Sequence, residues 1–134
     1  MSQDRLEIVR RAFDAWNRGD VEEMLDVMDP DIEIRLTGMF TGLGRTLHGH
    51  EGFRAVWDEL KGTFDQLLID VVETHATGDL VFVGTRFQGR GRDGIEVERP
   101  FYFVFRFRDQ LVVRYDSFAE RGPALKAAGL PERP

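Results

Sequence analysis

Residues 67–119, LLIDVVETHATGDLVFVGTRFQGRGRDGIEVERPFYFVFRFRDQLVVRYDSFA, decide the fold. Hydrophobicity alternates here with a period of two, the signature of strands with one buried face. The alternation breaks at Gly78-Asp79, at Arg90 to Gly94 and at Asp109-Gln110. It therefore predicts strands over 67–77, 80–89, 97–108 and 111–119. Connections this short make them an antiparallel meander. In the third strand Phe101, Phe103, Phe105 and Phe107 fall on one side and continue the apolar face begun by Val97.

Upstream of Gly62 the period changes to that of a helix. Leu6, Val9, Phe13 and Trp16 share one face of a first helix, which Gly19 ends in a left-handed exit. Asp20 then caps a short second helix, with Glu23 completing a capping box and Asp29-Pro30-Asp31 stopping it. Ile32 to Leu36 alternates as a short strand, and Thr37 to Gly49, with Met39 and Phe40, reads as a long loop. A third helix over 50–61 carries Phe53, Val56, Trp57 and Leu60 on one face, and residues 122–128 predict a last turn or two of helix. The order is ααβαββββ, an α+β fold in one domain with the helices on one sheet face.

The 134 residues are 42% apolar and 31% charged, which is ordinary globular usage. No cysteine is present, which excludes disulfides, thiolate metal sites and cysteine nucleophiles. A net charge of −6 argues against nucleic acid and anionic membrane as partners. No apolar run approaches the roughly 20 residues that span a bilayer, and residues 1–5 lack the apolar core of a signal peptide. A cytoplasmic location is expected. Eleven Phe and two Trp exceed what a minimal core needs and point to an aromatic-lined cavity.

Asp116 is the first candidate for chemistry. Strict alternation places it on one face with Val112, Arg114 and Phe118. A carboxylate in an apolar pocket resists ionising, which suits a general acid/base acting on an enolisable carbon acid. The alternative is a strand-edge aspartate paired in solvent with Arg114 or Arg99. Arg35 would orient that carboxylate or hold an oxyanion, or else share a solvated face with Glu33; Arg86 carries the same two readings. His75, two residues from Glu73, is either a proton shuttle or a hydrogen-bonded surface residue. His48, His50 and Glu51 have a faint metal-ligand look, but Gly49 makes the segment a turn, and no metal is expected. Gly42-Leu43-Gly44 lacks the context of a phosphate loop. The arginines of the C-terminal half alternate with Asp and Glu, as on a solvated face or dimer interface.

Three stretches carry a family resemblance: Ala12 to Asp20 leading into Met28-Asp29-Pro30-Asp31; His48-Gly49-His50-Glu51-Gly52-Phe53; and Phe105 to Asp109 through Tyr115-Asp116-Ser117-Phe118 to Leu125–Pro131. With this element order the chain resembles the NTF2-like superfamily and, within it, the SnoaL-like polyketide cyclases. The resemblance implies a cone in which three N-terminal helices pack against a curved, mainly antiparallel sheet, a cystatin-like α+β roll open at one end. It implies a homodimer formed through the sheet face. It also implies proton transfer by an aspartate at the position of Asp116, or of Tyr115 or Ser117 if the alignment shifts by one residue. Phe13, Trp16, Phe53, Trp57, Phe101, Phe103 and Tyr115 would then bind substrate. Ketosteroid isomerases of this superfamily differ at Ala12, Leu36, Phe101 and Tyr102, which excludes their reaction. The expectation is a cofactor-independent cyclase or isomerase acting on a hydrophobic carbonyl or polycyclic substrate. The alternatives are a non-catalytic ligand-binding or dimerisation module and an epoxide hydrolase-like enzyme built on Arg86 or Arg99 with Asp116.

Overall fold

The computed structural model describes residues 2–36 and 46–131. Met39, Phe40 and the Gly42-Leu43-Gly44 run lie outside the described residues. Helix α1 (Ser2–Arg18) buries Val9, Ala12, Phe13 and Trp16. It ends as expected: Gly19 has φ +76°, and the Asp20 N–H reaches back to the Ala15 carbonyl at 2.9 Å. Helix α2 (Val21–Asp26) starts where the Asp20 carboxylate accepts the Glu23 N–H at 3.1 Å.

Strand β1 (Met28–Leu36) begins before the expected Ile32, and its pairing is irregular between Met28 and Glu33, around Pro30. Part of the expected loop is strand β2 (Thr46–His48), antiparallel to β1. Helix α3 (Gly49–Thr63) follows directly. Gly49 has φ +74°, and a Cβ there would stand 3.2 Å from the Pro30 carbonyl. This explains the glycine between two histidines. His50 Nε2 donates to the Met28 carbonyl at 3.0 Å, which makes it a tether between α3 and β1.

Strands β3 (Phe64–Thr77), β4 (Leu80–Gly91), β5 (Glu96–Arg108) and β6 (Leu111–Phe118) form the expected meander. The whole sheet runs β2-β1-β6-β5-β4-β3, with β1 parallel to β6. Helices α1 and α3 lie on its inner face, α1 against β3 and α3 against β1 and β3. The architecture is the NTF2-like α+β cone, with one departure from the expected layering: α4 (Arg121–Ala127) packs on the opposite, outer face. Phe82 and Val104 project outward and are covered by Ala124, Leu125 and Ala128. Phe82 is fully buried there, worth about 2–3 kcal/mol.

Two β-bulges decide which side chains face in. On β3, Val71 and Glu73 oppose the consecutive residues Thr85 and Gly84, so Val72 is extra. On β6, Val112 and Arg114 oppose Phe107 and Arg106, so Val113 is extra. One extra residue reverses the alternation beyond it. Val112 therefore faces the core, and so do Tyr115 and Ser117, while Arg114 and Asp116 face outward. The expectation that Asp116 shares a face with Val112 is corrected by this bulge.

Candidate functional site

A cavity lies between α1, α3 and the inner face of the sheet. Its walls are Phe13 and Trp16 from α1, Phe53, Val56 and Leu60 from α3, and Phe87, Phe101, Phe103 and Phe105 from the meander. Met24, Met28, Leu36 and Ile69 fill in between, with Tyr115 and Ser117 contributed by β6. The space between these side chains is about 620 Å³ including the mouth, of which about 60 Å³ accepts the centre of a water molecule. The aromatic rings pack mostly at angles to one another. Phe101 and Phe103 meet edge to face at 5.3 Å, Phe13 tilts on Phe103 at 5.4 Å, and Phe105 tilts on Tyr115 at 5.6 Å.

Among the described lining residues, Tyr115 and Ser117 carry the hydroxyls, and none carries a carboxylate, imidazole, ammonium or guanidinium group. Burial pushes the Tyr115 phenol far above its ordinary pKa, so it stays protonated. Trp16 turns its indole N–H out of the cavity, to the Leu67 carbonyl at 3.0 Å. Trp57 stands behind Trp16, edge to face at 4.8 Å, and is not part of the lining. The Lys61 ammonium sits 4.7 Å from the Trp57 ring centroid.

The four residues expected to do chemistry lie elsewhere. Asp116 is 8% exposed on the outer face. Its Oδ1 stands 2.9 Å from Arg35 Nε, close enough to pair but misaligned for a hydrogen bond, and its Oδ2 is 3.9 Å from Arg114 Nε. Burial raises the Asp116 pKa, and the two guanidinium groups offset part of that rise. Arg86 is exposed and pairs with Glu98 at 2.7 Å. His75, beyond the Val72 bulge, faces outward, contacts Glu73 at 3.0 Å and stacks on Phe82. Glu73 also takes a two-point ion pair from Arg121 of α4, at 2.5 and 3.2 Å, which holds its carboxyl below the usual range. The outer-face groups thus anchor Asp116 to β1 and α4 to β3, away from the cavity.

Residues 9–115 match the family described as the SnoaL-like domain. The chain belongs to the SnoaL-like family. Solved structures of similar fold agree. An NTF2-like protein from Burkholderia xenovorans is 26% identical, with a TM-score of 0.73, covering 96% of this chain and 97% of its own. An NTF2-like protein of unknown function from Burkholderia pseudomallei is 20% identical with a TM-score of 0.81, over 92% of this chain and 95% of its own. TerC, co-crystallised with polyporic acid, is 21% identical with a TM-score of 0.81, over 87% and 92%. No curated protein matches the chain closely enough to count as a relative.

For this SnoaL-like chain, six of the seven residues expected to bind substrate line the cavity: Phe13, Trp16, Phe53, Phe101, Phe103 and Tyr115. Trp57 does not. Met24, Leu60, Ile69 and Phe87 line it as well and were not expected there. Their apolar periodicity is the same as that of residues with no cavity beside them. Ser117 lies in the lining because of the Val113 bulge.

Proposed function

We propose that this SnoaL-like chain binds a small, uncharged, flat apolar molecule in the cavity between α1, α3 and the sheet. One observation carries this reading: the described lining is aromatic and aliphatic and holds no charged side chain. A charged ligand group buried there would lose its hydration without a counter-ion. TerC, a protein of similar fold, was co-crystallised with polyporic acid, which supports a cyclic ligand. The same observation disfavours a cyclase, isomerase or epoxide hydrolase mechanism run by Asp116. A base must come within hydrogen-bond reach of the proton it takes, and the Asp116 side chain leaves the sheet on the other side. The test is titration with naphthalene, read by quenching of tryptophan fluorescence. Saturable quenching is expected in the wild type, and its loss in Ala12→Leu, which fills the cavity. No saturation with naphthalene, or Ala12→Leu behaving as wild type, overturns the reading.

A second copy is proposed as the occupant of the outer face around β1 and β6. The Arg35–Asp116 pair, 2.9 Å apart, lies on that face with the Arg35 side chain part-exposed. The face mixes Arg35, Arg106 and Arg114 with Glu33 and Asp116, so it can complement itself about a two-fold axis. Light scattering should give twice the chain mass, and Arg35→Glu should give the monomer.

A further inference from the structure

Among the described residues the sheet has a long free edge along β3, since β3 pairs with β4 on one side and with no described strand on the other. An open edge of 14 residues is a template for another chain. Here the last turn of α1 lies along it. The Asn17 side chain makes two hydrogen bonds to one residue of β3. Its Nδ2 donates to the Ile69 carbonyl at 2.9 Å, and its Oδ1 accepts the Ile69 N–H at 2.9 Å. That donor and acceptor pair is what a neighbouring strand would present. Two residues earlier on β3, the Leu67 carbonyl is taken by the Trp16 indole N–H at 3.0 Å.

Past Asn17 the edge is protected in other ways. Arg10, Asp14 and Asp70 line a hollow between α1 and β3 beside Val71, placing charge along the edge. Immediately beyond, the Val72 bulge breaks the regular spacing that a pairing strand would need. Val72 is 63% exposed, which makes this an apolar side chain on an edge where strand addition would otherwise be favoured.

We propose that Trp16 and Asn17 act as a side-chain surrogate for a seventh strand, closing the β3 edge to strand addition. Asn17 supplies both halves of the backbone pattern at Ile69, and Trp16 supplies the donor at Leu67. Asn17 lies on the surface, so replacing it leaves the core packing intact.

The test uses the full chain and a fluorescein-labelled peptide with the sequence of residues 64–77, read by anisotropy, together with amide exchange at Ile69. The wild type should not take up the peptide. In Asn17→Ala the peptide should bind, and Ile69 should exchange roughly fivefold faster, the loss of one ordinary hydrogen bond. Unchanged Ile69 exchange in Asn17→Ala, peptide uptake by the wild type, or faster exchange without uptake would each overturn the proposal.

Discussion

Tyr115 and Asp116 are adjacent in sequence and lie on opposite faces of the sheet. Tyr115 lines the cavity, and Asp116 pairs with Arg35 on the outer surface. The extra residue Val113, two positions before Tyr115, sets which of the two faces inward. The carboxyl group is therefore kept from the cavity. The group left inside is a phenol that burial holds neutral.

Asp116 carries a pH signature for stability. Its pKa is raised in the folded chain from 3.8, chiefly by burial. A carboxyl whose folded pKa exceeds its unfolded value contributes stability below the unfolded pKa, and this is lost as pH rises through the folded pKa. Asp116→Asn should therefore gain on the wild type as pH rises from below 3.8 through that folded value. Urea unfolding of both proteins across this range checks it; a constant difference would contradict it. Probe binding in the cavity should stay within about twofold, since the Asp116 side chain leaves the sheet on the face opposite the lining.

Glu73 has the opposite sign. Arg121 lowers its pKa from 4.5, so the stability it contributes is present above 4.5 and lost as pH falls through the lower folded value. Glu73→Gln should cost about 1 kcal/mol at neutral pH, a partly exposed ion pair's worth. The loss should appear as faster amide exchange in α4 while α1 is unaffected. Equal acceleration in both helices would show that α4 does not depend on this pair.

Trp57→Phe should keep most of the quenching caused by a bound apolar probe, because Trp16 lines the cavity and Trp57 stands behind it. Fluorescence titration of the variant checks this. Disappearance of the signal would place the ligand against Trp57 instead.

Phe105→Ala should cost about 3–5 kcal/mol, the usual loss for a buried phenylalanine. Phe105 is 7% exposed and packs against Phe13, Phe103 and Tyr115. Thermal unfolding should show a clear fall in midpoint. Added naphthalene should restore part of it by occupying the enlarged space; no restoration would argue that the cavity collapses.

Asp20→Ala removes the acceptor for the Glu23 N–H and should cost about 1 kcal/mol, while Asp20→Asn should cost little. Chemical denaturation of the pair distinguishes a cap from a simple charge effect.

Local pattern was enough for much of this protein. Apolar spacing from Leu6 to Trp16 and over residues 50–61 specified two helices with buried Phe13, Trp16 and Phe53, because helical periodicity depends only on neighbours along the chain. Asp20 and Gly19 marked a cap and an exit by their own chemistry. The short turns specified the meander, and the phenylalanines of β5 its inner face. Three features needed the tertiary structure. Strand β2 has three residues, too few to show a period, and exists through its pairing with β1. The outward Phe82 and Val104 became core only because α4 folds over them. The bulges at Val72 and Val113 arise where two paired strands differ by one residue in length, a property of the pair that neither strand's sequence displays. Alternation says that Tyr115 and Asp116 point opposite ways; the partner strand decides which of them meets the cavity.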